Sequence, residues 1–200
     1  MISSPQRPLV LVRHAESSWN ELRLIQGQND EARLTDRGRQ QAAAVAQELQ
    51  SREFDLVVSS DLRRATETAA IIAEVLGLAV ETDRLLRERG FGVAEGGPVD
   101  QLIAQTVGVI DGVVTDDSVS PEGGETLRDF RERAGRFIEL RELKWPDQRL
   151  LVITHGGTIR ALQSYSEGTS FLGSRWDRVA NCSVWTVTPR SGWRRSEHEG

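Results

Sequence analysis

Two short apolar runs constrain this chain more than anything else in it. Leu9-Val10-Leu11-Val12 runs straight into Arg13-His14-Ala15-Glu16, and Leu150-Leu151-Val152-Ile153 runs into Thr154-His155-Gly156-Gly157. Each is bulky, partly β-branched and unbroken by polar residues, which is how a strand buried on both faces of a parallel sheet reads. Each also ends in a histidine, and the chain has three in all. Two such strands can lie side by side. Their carboxyl ends then bring both imidazoles to one crevice, where open α/β sheets bind ligands. An isolated Arg-His pair reads first as a solvated strand end. The echo is what makes it a candidate site.

The segments between the runs alternate in the same spirit. Thr35 can cap a helix whose apolar positions include Ala43, Val45, Ala46 and Leu49. Phe54 to Ser59 reads as a second strand. Ser60 is then suited to cap a helix, with Asp61 in its first turn, running through Ala65, Ala69, Ile72 and Leu76 to a stop at Gly77. Leu78 to Thr82 is a third strand. A helix from about Leu127 to Leu143 carries the stripe Phe130, Ala134, Phe137, Ile138 and is stopped by Pro146. Another helix begins near Gly157. Val179 to Thr188 reads as a strand, turned back at Ser191-Gly192 so that Trp193 to Ser196 pairs antiparallel at the edge. His198 reads as frayed tail. The expectation is a single α/β domain over residues 1–200. Its architecture would be a three-layer α/β/α sandwich with a mostly parallel central sheet and an antiparallel edge strand.

Composition narrows the partners. The net charge is −5 and the isoelectric point about 5.4, which argues against nucleic acid. No apolar run approaches the ~18 residues of a membrane span, and Met1 to Pro8 lacks the apolar region of a signal peptide. The one cysteine, Cys182, excludes an internal disulfide and fits a reducing, cytoplasmic compartment; in its strand it reads as core. No Cys/His cluster has zinc spacing, so no metal and no cofactor is expected. Edge strands and five tryptophans leave room for a homodimer.

Three loops bear on chemistry. Glu16 to Asn20 is polar and loop-like. Gln26-Gly27-Gln28-Asn29-Asp30 is turn-rich, readable as a surface loop or as donors folded over the site. Arg84 to Gly97 is dense in arginine, glutamate and glycine. In the helix after Ser60-Asp61, Arg63 and Arg64 oppose the helix dipole at its N-terminus, a cost easier to understand with an anion in front of them.

Four motifs in order carry a resemblance that spans Leu9 to about Ser183. They are Arg13-His14-Ala15-Glu16; Ser60-Asp61-Leu62-Arg63-Arg64-Ala65-Thr66-Glu67-Thr68-Ala69; Leu86-Arg87-Glu88; and Thr154-His155-Gly156-Gly157. Together they resemble the histidine phosphatase superfamily, the phosphoglycerate mutase-like group. The resemblance implies His14 as nucleophile, with Arg13, Arg64, His155 and Gly156 around the phosphoryl group and Glu88 as proton donor. Asn20, Ser17, Gln26 and Gly27 match positions that contact phosphate. Arg64, followed by Ala65 and then Thr68-Ala69, matches the family arginine; Arg63 matches a variable position. Ala15 and Ala94 depart from the commoner residues, a glycine and a large side chain.

The residue types suit the chemistry. Two arginines can grip a phosphate dianion with charge-assisted hydrogen bonds. Their charge disfavours protonation of His14 and keeps it nucleophilic. Attack by His14 would give a phosphohistidine, Glu88 would protonate the leaving alkoxide, and its carboxylate would then activate water. An alternative for Glu88 is an ion pair with Arg87 or Arg89, which would pass the acid role to Glu16, Glu95 or Glu125.

The leading expectation is therefore a phosphomonoesterase, of histidine acid type, acting on a small phosphorylated metabolite. A phosphomutase is the alternative: Arg89 matches a carboxylate-contacting position, but Phe91 lacks the hydroxyl usual there, and Gly97 to Ser120 is short and holds four acids and no base. A non-catalytic phosphate-binding regulatory module is the alternative of another class. The acidic segment hints at a neutral or cationic leaving group, provided the acids face the pocket.

Overall fold

The computed structural model describes residues 9–100, 109–175, 178–188 and 192–195. Met1 to Pro8, the middle of the acidic segment (101–108), Ser191 and His198 lie outside them. In chain order the elements are β1 (Leu9–Arg13), a single helical turn α1 (Ser18–Glu21), α2 (Asp36–Leu49), β2 (Leu56–Ser59), α3 (Arg63–Leu76) and β3 (Val80–Thr82). A small hairpin follows, β4 (Val109–Ile110) with β5 (Val113–Val114). Then come α4 (Leu127–Lys144), β6 (Leu150–Thr154), α5 (Gly156–Ser166), β7 (Val184–Thr188) and β8 (Gly192–Arg195).

The main sheet runs β3-β2-β6-β1-β7-β8. β3, β2, β6 and β1 are parallel; β7 is antiparallel to β1, and β8 to β7. The two histidine strands are direct neighbours, with Arg13 opposite Thr154. Side-chain alternation sends each strand's apolar residues to both faces. Leu9, Leu11, Val58 and Val152 pack with Phe130, Phe137, Ile159 and Leu162 of α4 and α5. Val10, Val12, Val57 and Ile153 pack with Ala42, Val45, Ala69 and Ile72 of α2 and α3. The result is the expected three-layer sandwich, whose unbroken apolar strands are explained by cover on both sides.

The caps show where local reading succeeds and fails. Thr35 accepts from Gly38 N at 3.0 Å and Thr126 from Asp129 N at 3.0 Å, so both start helices. Gly77 ends α3 with φ +67. Ser60 and Asp61 do not cap α3, which begins at Arg63 after Leu62 with no side-chain cap. Tertiary partners claim both: Ser60 Oγ meets His155 Nε2 at 2.9 Å, and Asp61 takes two bonds of 2.6 Å from Arg87. Asp30 supplies the carboxylate instead, accepting from Arg63 N at 2.5 Å. Glu16 to Asn20 is not all loop, because Ser17 and Asn20 form a reciprocal capping box that starts α1. Val179 to Ser183 is not strand. Cys182 sits in a turn at φ +57, buried, with its thiol pushed up to about 12 by burial; that is core behaviour. Among the described residues no helix is long and apolar enough to cross a membrane.

Candidate active site

β1 and β6 end side by side, and the residues that follow them form the centre. His14 N donates to Thr154 O at 2.8 Å, which joins the two strand ends. The imidazoles of His14 and His155 lie 5.1 Å apart, tilted by 59°. His14 Nδ1 is 2.8 Å from Ala15 O. A carbonyl only accepts, so Nδ1 carries the hydrogen and Nε2 of the neutral ring keeps its lone pair. Burial, then the charges of Arg64 and Arg13, hold the His14 pKa well below the usual histidine value. Burial does the same to His155, again with Arg64 as the leading charge. Thr68 accepts from Ala15 N at 3.1 Å and ties the loop after His14 to α3. Ala15 in place of glycine is accommodated, fully buried.

Both arginines are held by backbone carbonyls. Arg13 Nη1 donates to Val179 O. Arg64 donates to Gly27 O at 2.7 Å and to Asn29 O at 3.0 Å, so the turn-rich loop does fold over the start of α3. Burial lowers both guanidinium pKa values to about 10, which leaves them charged at neutral pH. Among the described residues, each keeps a buried Nε–H without a partner, and His155 likewise keeps its Nδ1. Three buried polar atoms without partners around one imidazole fit an anion, since such groups are otherwise costly.

Glu88 sits opposite. Its Oε1 accepts from Arg89 N at 2.9 Å and its Oε2 from Gly157 N, at the start of α5, at 3.0 Å. It makes no ion pair with either flanking arginine. Arg87 binds Asp61, while Arg89 is buried and donates to Glu125 O at 2.8 Å and Val119 O at 3.0 Å. Glu16, Glu95 and Glu125 are each engaged elsewhere, by Thr35 Oγ1, by Gln28 N and Phe91 N, and by Arg133.

A cavity of about 530 Å³ opens beside this centre, with Arg13, Asn20, Glu88, Gly156 and Gly157 in its wall. Asn20 reaches it, its Oδ1 accepting from Ser17 N and Asn181 Nδ2, both at 3.1 Å. Ser17 is fully buried and donates to Gln26 Oε1 at 2.8 Å; these two brace the loop rather than face the cavity. Gly27 likewise serves through its carbonyl. Its φ of +50 lies in the left-handed region that favours glycine, and a Cβ there would displace the Glu95 carboxylate. Ala94 does not line the cavity.

Of the four acids in the acidic segment, none lines the cavity, though Asp100 is paired with Arg23 of its wall. Asp100 pairs with Arg23 on the surface at 2.8 Å, Asp116 is used by Ser118, and Asp117 pairs with Arg128 at 2.8 Å. Asp111 lies in an exposed turn. The expectation of a neutral or cationic leaving group loses its basis, because the wall carries Arg23, Arg160 and Arg178. Sequence reasoning missed Arg160, Arg178, Trp19, Ser60 as the partner of His155, and Asn181, whose Nδ2 donates to His14 O at 2.9 Å. Arg160 alone had a local signal: it lies one helical turn beyond Gly156.

Paired histidines beside two arginines, at the carboxyl ends of adjacent parallel strands, make a candidate phosphoryl-handling site on an α/β sheet. The model of the histidine phosphatase superfamily (branch 1) matches residues 9–198, and the chain belongs to that superfamily. It is 38% identical over 181 residues to phosphoglycerate mutase-like protein 4 of Arabidopsis thaliana, covering 88% of this chain and 76% of that one. It is 35% identical over 193 residues to a probable phosphoglycerate mutase of Erwinia tasmaniensis, covering 92% and 88%. Among solved structures it is similar to a mycobacterial glucosyl-3-phosphoglycerate phosphatase, with a TM-score of 0.81, 32% identity and 96% and 98% of the two chains covered. It is also similar to a phosphoserine phosphatase of Entamoeba histolytica, with a TM-score of 0.80, 25% identity and 95% of each chain covered.

Proposed function

We propose that this chain is a metal-independent phosphomonoesterase that hydrolyses a small phosphorylated metabolite, with His14 as nucleophile and Glu88 as proton donor. The observation that carries the reading is the state of His14: Nδ1–H is given to Ala15 O, and burial with two arginines keeps the ring neutral. The nucleophilic lone pair is therefore ready before substrate arrives.

The steps follow from the groups present. The Nε–H groups of Arg13 and Arg64 and the Nδ1 edge of His155 bind the phosphoryl oxygens. They hold positive charge where negative charge is redistributed in the transition state. His14 Nε2 forms a bond to phosphorus while the bond to the leaving oxygen breaks. Glu88 in its acid form gives that oxygen a proton. Water then attacks phosphorus, Glu88 as carboxylate takes the water's proton, and the nitrogen–phosphorus bond breaks to release inorganic phosphate. Arginine charge supplies what a metal would. The Ser60 contact favours the productive His155 ring: a hydroxyl donating to Nε2 leaves Nδ1 as the protonated edge. A cytoplasmic setting fits the single unpaired cysteine.

A mutase is the second reading, supported by the names of the curated relatives. The geometry of Arg89 favours the phosphatase. Arg89 is 1% exposed, gives its Nε and Nη2 to two loop carbonyls and is not among the residues of the cavity wall, which counts against its holding a substrate carboxylate. Incubation with labelled substrate should give an acid-labile phosphoryl protein in the wild type and none in His14→Ala, with p-nitrophenyl phosphate turnover abolished in the variant. A folded His14→Ala protein with near-wild-type turnover would remove the mechanism. Phosphate released to water distinguishes the phosphatase; positional isomerisation without release would select the mutase.

A further inference from the structure

We propose that Arg133, paired with Glu125, is the positioning residue for Glu88: it holds the loop that carries this carboxylate where proton transfer needs it, without touching substrate. The inference rests on the reading of Glu88 as proton donor.

Leu85 to Glu88 presents four successive carbonyls, and each accepts from a side chain. Thr154 Oγ1 of β6 donates to Leu86 O at 2.8 Å, and Thr158 Oγ1 of α5 to Arg87 O at 2.9 Å. Arg133 on α4 reaches three of the four. Its Nη1 donates to Leu85 O and Arg87 O, and its Nη2 to Glu88 O, each at 3.0 Å. The rest of the guanidinium goes to Glu125, Nε to Oε1 at 2.7 Å and Nη2 to Oε2 at 2.8 Å. All five N–H donors of the arginine are thus engaged, three by the loop and two by the carboxylate.

Glu125 continues the clamp past Glu88. Its Oε2 also accepts from Gly90 N at 2.8 Å, and its backbone N donates to Gly90 O at 2.8 Å. Gln28 Nε2 bridges the two parts, 3.2 Å from Glu88 O and 3.3 Å from Glu125 Oε2. One ion pair therefore holds the backbone on both sides of Glu88. Arg133 also lies over the buried Phe130 ring, 5.2 Å from its centroid, which fixes the plane of the fork. Among the described residues the cavity wall includes Glu88 and not Arg133, so any effect of the arginine on proton transfer passes through the loop. A general acid acts only within hydrogen-bond reach of its oxygen, and a small misplacement costs rate steeply. Lysine would supply the same charge, but as three donors on a flexible stem.

The test follows phosphoenzyme formation in single turnovers on two substrates. The leaving group of phenyl phosphate needs a proton; that of p-nitrophenyl phosphate departs as a stabilised anion. Arg133→Ala should slow phenyl phosphate by about 10- to 100-fold, part of the roughly 10²–10⁴ that general acid catalysis supplies, and p-nitrophenyl phosphate only a few-fold. The Kd for inorganic phosphate should stay within a few-fold of wild type. Arg133→Lys keeps the charge, which also acts on His155, but loses the fork, and its rates should fall between. The Arg133→Ala/Glu88→Gln double variant should be no slower on phenyl phosphate than Glu88→Gln alone, because residues acting through one group do not add. Equal losses on both substrates with weakened phosphate binding would make Arg133 a general structural residue and overturn the proposal. Losses that add in the double variant overturn it too. Should Arg133→Ala not fold, Arg133→Lys decides: an unchanged ratio of the two rates overturns the proposal. Glu88→Gln separates the two readings. If its loss is confined to phenyl phosphate while the Arg133 variants are unselective, the positioning role falls alone; if it shows no such selectivity, the acid reading falls and the positioning role with it.

Discussion

Arg63 and Arg64 are adjacent in sequence and point about 100° apart around α3. That rotation separates their fates: Arg64 is 1% exposed and held by the Gly27 and Asn29 carbonyls, while Arg63 is half-buried and engaged at its backbone by Asp30. Arg64→Ala should therefore lower kcat/KM by roughly 10- to 100-fold or more, the value of a charged hydrogen bond of about 1.5–3 kcal/mol. Arg63→Ala should stay within a few-fold of wild type. Steady-state kinetics on one substrate decides it, and equal losses would show that the wrong arginine has been assigned to the phosphate. The same scale explains why Ser60 misled sequence reasoning. Serine is a good cap by propensity, but α3 begins three residues beyond Ser60, and a histidine 95 positions away takes its hydroxyl.

At the scale of elements, α4 and α5 cover one face of the sheet and set the start of α5 against Glu88. Their contact depends on Gly135. A Cβ there would lie 2.1 Å from Tyr165 Cδ2 and 2.4 Å from Cγ, near the root of a ring that cannot swing clear without moving its helix. Arg131 lies over that ring, 5.1 Å from its centroid, and the tyrosine hydroxyl donates to Glu139. Helix propensity alone predicts that Gly135→Ala stabilises by roughly 1 kcal/mol. The packing predicts the reverse, a loss of about 1–3 kcal/mol from overpacking. Urea unfolding gives the sign, and a stabilised variant would mean that the two helices have more slack than this geometry allows.

For the whole molecule, two buried neutral histidines make stability depend on pH. In the unfolded chain both protonate near about pH 6.5. In the native state both are held well below that value, first by burial and then by Arg64. Above about pH 6.5 neither state binds these protons, and the two histidines add no slope. As pH falls below it, the unfolded chain gains protons that the native state refuses, so stability falls. The slope approaches about 1.4 kcal/mol per pH unit for each histidine until the native pKa is reached. Urea midpoints measured between about pH 7.5 and 5.5 should drop in the wild type and drop less in a His14→Gln/His155→Gln variant. Equal slopes in the two proteins would mean that these imidazoles titrate normally when folded.

Much of this molecule was legible along the chain because its signals are local. Unbroken apolar runs state that a strand is covered on both faces, so β1 and β6 could be paired and their histidines brought together from sequence. The Thr35 cap, the α4 stripe and the Gly77 stop act within a turn or two of themselves, and they hold. The alternation of strands and helices then leaves few topologies, since parallel crossovers have one favoured hand. What tertiary structure decided is where long polar side chains go. Asp61 binds Arg87 instead of starting a helix, Arg89 turns to loop carbonyls, and Asp100 pairs with Arg23 at the cavity wall. Arg13 is anchored by Val179 and His14 by Asn181, partners 166 and 167 residues away. A charged side chain has several acceptors of similar worth within reach, and only the packed backbone fixes which of them is near. The sequence thus determined the sheet and its paired histidines; the folded chain alone decided which arginines gather around those histidines and which line the cavity beside them.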